Sequence, residues 1–496
     1  TSFAFEGVEA RPVEVQAHMT GGQPQFIIVG LPDKSVNEAK DRISAAFASI
    51  GLGLPPRRIT VNLAPADLRK EGSHFDLPIA LALMAVIGAI PTDALNDVAV
   101  IGELGLDGSI AKTIGALPAA VAANALGLGL ICAKASGPEA AWAGGDHPVL
   151  GAHGLVELSN NFKGSQVLAP QAPGGLFEDE YSPDLADVKG QETARRALEV
   201  AAAGGHNLVL IGPPGSGKSM LASRLPGLLP PLSPEEMLDV SMVHSVAGLI
   251  KSGKLSSQRP FRAPHHSASM PAMVGGGMRA KPGEASLAHH GVLFLDELPE
   301  FAAPVLDSLR QPLETGDVLI ARANAHIRYP ARFQLVAAMN PCRCGATCVR
   351  GSTCAARYQA RVSGPFLDRM DLSIETPPVS VLELTSKTPS ETTEAVRSRV
   401  VAAREIQAAR GSMNAQLSEK DLHSSTELNA DAQALLIQAC EKLNLSARGY
   451  ARCLRVARTL ADLEGCDAIA RHHVAEAVSF RRRAPQQAEA LARITP

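Results

Sequence analysis

At 496 residues the chain has room for roughly two to four separately cored domains. With 46% hydrophobic and 20% charged residues, its composition is that of an ordinary globular protein and not of a low-complexity polypeptide. The formal net charge of -3 gives no global sign of nucleic-acid binding, but residues 1–172 carry 11 Lys/Arg against 16 Asp/Glu and residues 251–370 carry 15 against 8. Such a basic middle suits a polyanionic partner, or a solvated arginine-rich surface.

In chain order, "TSFAFEGVEARPVEV" lacks the basic and apolar regions of a secretory leader. The apolar run in "PIALALMAVIGAIP" is too short to span a bilayer. A cytoplasmic protein that does not enter membranes is therefore expected. Residues 1–168 alternate β-rich runs such as "PQFIIVGL" and "RRITVNLAP" with Ala/Leu helical stretches, an α/β pattern. Residues 169–186 are rich in Pro, Gly and acid and read as an exposed linker. In residues 187–380 the apolar runs "HNLVLIG", "GVLFLDE" and "FQLVAAMN" alternate with helices, which predicts a parallel sheet with crossovers. Residues 381–496 follow a helical period, most clearly in "TEAVRSRVVAAREIQAAR".

"GPPGSGKS" comprises Gly212, Pro213, Pro214, Gly215, Ser216, Gly217, Lys218 and Ser219, a full phosphate-loop pattern between an apolar strand and a helical run. Its glycines let backbone N–H groups surround the phosphates of ATP, and the helix N-terminus adds a favourable dipole. Lys218 would reach the β- and γ-phosphates, and the Ser219 hydroxyl would ligate Mg²⁺. "GVLFLDE" ends in two carboxylates: Asp296 to hold Mg²⁺ and Glu297 to activate the attacking water. Asn340, at the end of "FQLVAAMN", offers an amide to position that water.

With "FLDRMD" and "LSARGYARCLR", the order of these motifs resembles the AAA+ ATPases. The resemblance implies that Arg369 reaches the γ-phosphate of a neighbouring subunit and that Arg448 senses it from a helical lid. A finger supplied in trans implies a ring, and the family implies a homo-hexamer. "RPFRAPHHSAS" and "PGEASLAHHGVLFLDELPEF" resemble the magnesium-chelatase-like branch, which extends to the minichromosome-maintenance helicases. "GDVLIARANAHIRYPARF" reads as a hairpin with Arg322, His326 and Arg328 near its tip. In the helicase relatives a hairpin at this place touches DNA; an ordinary solvent-facing hairpin is the alternative.

"NLAPADLRKEGSHFDLPIALAL" and "GELGLDGSIAKTIGALPAA" resemble the Lon-protease domain, whose α/β fold is shared with ribosomal protein S5. The serine position of that family falls on His74 and the lysine position on Pro118, which implies a domain without the Ser–Lys dyad, with Ser73 one residue early. The full combination resembles the ComM/YifB family: Lon-like α/β domain, AAA+ core and helical lid. That family implies an ATP-driven hexameric DNA helicase promoting branch migration during natural transformation. A chelatase-type motor that remodels a protein partner for Mg²⁺ insertion into a porphyrin is the alternative.

Within the insert 341–357, Cys342, Cys344, Cys348 and Cys354 are spaced C-x-C-x3-C-x5-C. Four thiolates in a loop with little apolar material favour a structural Zn²⁺ site over disulfides or free thiols.

Overall fold

The computed structural model describes residues 1–177, 183–277, 280–322, 325–344, 351–380, 383 and 390–481. Strands β1 (Ser2–Glu6), β2 (Glu9–Thr20), β3 (Gln25–Val29) and β4 (Arg58–Ala64) form a sheet in the order β1-β2-β4-β3. β1, β2 and β4 pair antiparallel, and β3 joins β4 in parallel. The alternation in "RITVNLA" turns Ile59, Val61 and Leu63 to one buried face. They pack on Ile43 and Phe47 of helix Ala39–Ser49 and on Leu77, Leu81 and Leu83 of helix Asp76–Val86. Beyond these lie β5 (Val98–Val100), β6 (Glu103–Leu104), β7 (Ile110–Ala111), β8 (Gly129–Ala133) and β9 (Val149–Ala152). β5, β8 and β9 form a parallel sheet, and β6 and β7 form a hairpin.

His74 is 5% exposed, and its Nε2 bonds the Phe3 carbonyl at 2.8 Å. Pro118 is buried in helix Ala116–Ala125. Ser73 is half-buried and donates to Glu103.

The central sheet contains β10 (Leu208–Ile211), β11 (Phe261–Arg262), β12 (Val292–Leu295), β15 (Gln334–Met339) and β16 (Leu372–Glu375). All run parallel, in the order β11-β12-β15-β10-β16. β12 and β15 are buried along their whole length, as their unbroken apolar runs require of strands covered on both faces. Between them β13 (Asp317–Arg322) and β14 (Ala325–Pro330) project as an antiparallel hairpin. Helices Thr393–Ala409 and Ala447–Leu463 cover helix Glu192–Gly204 through Val396, Val400, Leu454 and Ala457. Thr392 and Ser446 cap these helices by accepting the N–H of Ala395 and Gly449. No described helix is long and apolar enough to cross a membrane.

The segment read as an exposed linker has largely exposed side chains, but its backbone is laced down: Gly174 N–H donates to Pro138 O and Phe177 N–H to Leu255 O. The N-terminal region docks beside it. Leu117 packs with Ile250 and Leu255, Trp142 Nε1 donates to Gly253 O at 3.0 Å, and Ser245 donates to the buried Glu139 at 2.6 Å. Val8 meets Ile327 and Tyr329 of the hairpin.

Burial pushes the His74 imidazole down to about 4, against the smaller opposing pull of the Phe3 carbonyl. The unfolded ring, near 6.5, therefore takes up a proton first. Because the folded value is the lower one, stability from this group is intact above the unfolded value and falls as pH drops from about 6.5 to about 4. The loss amounts to about 3 kcal/mol. His74→Gln, which keeps a donor for Phe3, should flatten that part of the denaturation midpoint against pH. An unchanged slope would assign the acid sensitivity to other groups.

Candidate functional site

Strand β10 delivers the chain into the Gly212–Ser219 loop, and helix Lys218–Leu228 leaves it. Gly212 is set by close approach: a Cβ there would lie 2.1 Å from Thr376 Oγ1 and 2.2 Å from its carbonyl. Gly217 is set by conformation, since its φ of 84° caps the helix in the left-handed region. Pro214 and Gly215 form the exposed rim of the loop and Pro213 is half-buried, while Ser216 is buried with its hydroxyl 3.1 Å from Thr376 Oγ1.

Lys218 is 8% exposed and turns into the loop. Its Nζ donates to Gly212 O at 2.7 Å, Pro213 O at 2.8 Å and Asn340 Oδ1 at 3.2 Å. Every one of those acceptors is neutral. Burial holds the ammonium below the usual lysine range, and Asp296 partly restores it. A desolvated cation among neutral oxygens is stabilised by an arriving anion, so the residues fit a nucleotide phosphate. Ser219 Oγ donates to Asp296 Oδ2 at 2.6 Å, which puts a hydroxyl and a carboxylate side by side as Mg²⁺ ligation requires.

Glu297 follows in a left-handed conformation, φ 52°, with Oε2 3.2 Å from His266 Nδ1. Thus the adjacent residues Lys218 and Ser219 bond Asn340 and Asp296 respectively, with Glu297 adjoining Asp296.

The two arginines lie apart from this network. Arg369 is buried, donating to Pro365 O at 2.6 Å and Arg310 O at 3.3 Å and pairing with Glu314 at 2.5 Å. Arg448 is exposed in the first turn of helix Ala447–Leu463.

On the hairpin, His326 and Arg328 are exposed, and Arg328 Nε pairs with Asp317 at 3.1 Å. Arg322 ends β13, and its side chain lies outside what is described.

Cys342, Cys344 and Cys354 bring their sulfurs within 4.8 Å of one another, and Cys344 Sγ is 3.5 Å from Cys354 Sγ. Thiolates at about 2.3 Å from a tetrahedral Zn²⁺ stand about 3.7 Å apart, so the spacing fits. Cys348 lies outside the described residues. Helix Gly351–Gln359 carries Cys354, and Gln359 Nε2 donates to Pro341 O at 3.0 Å, tying the helix back to the end of β15.

Several residues around the site escape motif reading. Gln191, with φ 58°, donates to Ser216 O at 3.3 Å and Pro377 O at 2.5 Å, bracing the loop from outside. Thr376 backs Gly212, and His266 holds Glu297. The doubled histidines of "APHHS" are the one sequence signal for the last of these.

Three family models match the chain: "Magnesium chelatase, subunit ChlI" over residues 184–384, "Subunit ChlI of Mg-chelatase" over 15–136, and "Magnesium chelatase, subunit ChlI C-terminal" over 390–481. The competence protein ComM of Haemophilus influenzae is 46% identical over 493 residues, covering 97% of this chain and 96% of that protein. The uncharacterized protein YifB of Escherichia coli is 45% identical over 482 residues, covering 96% and 95%. The magnesium-chelatase 38 kDa subunit of Rhodobacter capsulatus is 25% identical over 340 residues, covering 62% of this chain and 88% of that protein. The mixed α/β fold with its parallel sheet and helical C-terminal region agrees with these matches, and the chain belongs to the ComM/YifB family of magnesium-chelatase-like AAA+ proteins.

Proposed function

We propose that this protein is an ATP-driven DNA translocase or helicase, acting in the cytoplasm as a homo-hexameric ring and promoting branch migration during natural transformation. The observation that carries the reading is the convergence of Lys218, Ser219, Asp296, Glu297 and Asn340 in one mouth, in a chain alike over its full length to a protein named for competence.

In this reading Gly212–Ser219 binds the phosphates of ATP, and Lys218 exchanges its neutral acceptors for phosphate oxygens. Ser219 and Asp296 hold Mg²⁺, which supplies charge neutralisation. Glu297 takes the proton of a water that Asn340 orients. Arg369 completes the site of a neighbouring subunit, and Arg448 reports nucleotide to the lid. Arg322, His326 and Arg328 meet the DNA backbone, a contact that is sequence-neutral and salt-sensitive.

The region of residues 1–168 serves as a scaffold without peptidase chemistry, since His74 is committed to Phe3 and Pro118 offers no base. The chelatase reading draws on the match to the Rhodobacter subunit. In a chelatase-type motor, hydrolysis would answer to a protein partner and not to DNA.

Lys218→Ala should abolish nucleotide binding, whereas Glu297→Gln should bind ATP and turn over roughly 10²- to 10⁴-fold more slowly. Equilibrium binding of a fluorescent ATP analogue, paired with steady-state hydrolysis, separates the two. Wild-type turnover by Glu297→Gln would remove it as the base. Hydrolysis by the wild type should rise on adding single-stranded, duplex or four-way-junction DNA, less so at higher salt. Indifference to all three would favour the chelatase-type reading.

The cysteine insert is proposed to hold one structural Zn²⁺ through Cys342, Cys344, Cys348 and Cys354. Metal analysis of freshly purified protein should find about one zinc per chain. Cys354→Ser should lower that content and speed proteolysis within the insert. Metal-free protein with an unchanged cleavage pattern would sink the assignment.

A further inference from the structure

The hairpin and Arg369 are joined at a point that neither motif predicts. The short helix Pro312–Thr315 stands at the root of the hairpin, one residue before β13 begins. Gly316, with φ 74°, makes the turn between them, and its carbonyl accepts Ala331 N–H at 2.8 Å, closing the hairpin base. From this helix Glu314 reaches the Arg369 guanidinium at 2.5 Å.

The other side-chain bonds of Arg369 go to the carbonyls of Pro365 and Arg310, so among the described residues Glu314 is its charged partner. The two partners are unequally placed. Arg369 is 8% exposed and Glu314 53%, so the carboxylate faces water and is free to leave. The Arg369 backbone, in contrast, is fixed to the sheet, since Asn207 Nδ2 donates to Arg369 O at 3.1 Å just ahead of β10.

A polar path runs up from this pair into the hairpin. Thr315 Oγ1 donates to Asp317 Oδ1 at 2.6 Å, and Asp317 Oδ2 pairs with the exposed Arg328 at 3.1 Å. An anion drawn to Arg328 competes with Asp317, and Asp317 is bonded to the residue next to Glu314.

We infer that Glu314 is a positioning residue that holds Arg369 folded back within its own subunit, and that engagement of the hairpin by a polyanion releases Arg369 to the neighbour's phosphate. This rests on the proposed trans role of Arg369. The chemistry is anion exchange at one guanidinium, with carboxylate and phosphate oxygens as alternative acceptors of the same N–H groups. An unoccupied hairpin then leaves the finger withdrawn and hydrolysis slow. Coupling of this kind is carried by an element with two arrangements that both sites bias.

The test is steady-state hydrolysis by the full-length protein with and without single-stranded DNA, in the wild type, Glu314→Gln, Glu314→Asp, Arg369→Ala and the double variant Glu314→Gln/Arg369→Ala. Glu314→Gln keeps the shape and removes the charge. It should raise the DNA-free rate several-fold and bring the ratio of DNA-stimulated to basal rate close to one. Glu314→Asp keeps the charge and should restore most of the wild-type ratio, which a merely structural requirement for the longer side chain would not allow. The double variant should be as slow as Arg369→Ala alone.

A Glu314→Gln protein with wild-type basal rate and wild-type stimulation would overturn the inference. So would one with a lowered basal rate in assemblies of wild-type mass. Should Glu314→Gln fail to fold, Glu314→Asp decides: a melting midpoint close to wild type with stimulation lost refutes the role of the charge. Full hydrolysis by Arg369→Ala would instead remove the trans-finger reading itself, and is thereby distinguishable from failure of the latch.

Discussion

The structure turns on the Lys218 ammonium and the neutral oxygens that hold it. Three come from the loop after β10 and one from Asn340 after β15, so a single cation spans the carboxyl ends of two neighbouring strands. Parallel pairing is what makes this possible. With β12, β15 and β10 side by side and pointing the same way, the residues that follow each strand must emerge at one edge. Asp296 after β12 then meets Ser219, and Asn340 after β15 meets Lys218, without any long-range search. A buried cation lacking a carboxylate within bonding distance is poorly compensated. The fold tolerates it because the loop carbonyls and the Asn340 amide oxygen are already there to accept its N–H groups.

Around this edge, the peripheral segments are tied to the sheet-bearing region by specific bonds. The N-terminal region bonds the segment after helix Pro234–Ala247 through Trp142 and Lys112, and the helix itself through Glu139 and Ser245. It also touches the hairpin through Val8. Burial pushes the Glu139 carboxyl up, while Ser245 across the junction and Lys112 within the N-terminal region pull it part of the way back. The cysteine insert is tied in a similar way. Arg361, just beyond helix Gly351–Gln359, pairs with Glu300 at 2.9 Å, three residues after Glu297. The segment that follows the insert therefore touches the acidic turn, while Gln359 ties the insert's helix to the end of β15.

What was legible in the sequence was chemistry confined to short windows. The loop from Gly212 to Ser219, the pair Asp296–Glu297 and Asn340 each sit where an apolar run ends, and the parallel sheet follows from runs buried on both faces. The hairpin strands and the long helix Thr393–Ala409 follow from period alone. Contacts between windows were not legible. Glu314 and Arg369 are separated by 55 residues, His266 and Glu297 pair across two different strand ends, and Gln191 reaches Pro377 across 186 residues. None has a spacing rule, because each depends on which strands become neighbours. Motif order could place Arg369 in a family role; only packing shows that its guanidinium is already occupied.

The acidic turn shows why such contacts matter to the chemistry. Successive residues of an extended strand point to opposite faces. Two adjacent carboxylates at the end of β12 therefore cannot both serve one site while the chain stays extended. Asp296 continues toward Ser219, and the backbone then reverses into the left-handed region at Glu297, which for a non-glycine residue costs of order 1–3 kcal/mol. Three observed bonds offset that strain. Glu297 N–H donates to Asp296 Oδ1 at 2.8 Å, Glu300 N–H donates to Glu297 O at 2.7 Å, and His266 holds the Glu297 carboxylate itself at 3.2 Å. The His266 ring in turn lies tilted against that of His265, with centroids 4.1 Å apart, and His265 Nδ1 is bonded to Ser267 Oγ. The doubled histidines thus act as a brace for a strained turn. The strain aims two neighbouring acids from one strand end, one at the Ser219 hydroxyl and the other at the imidazole beside it.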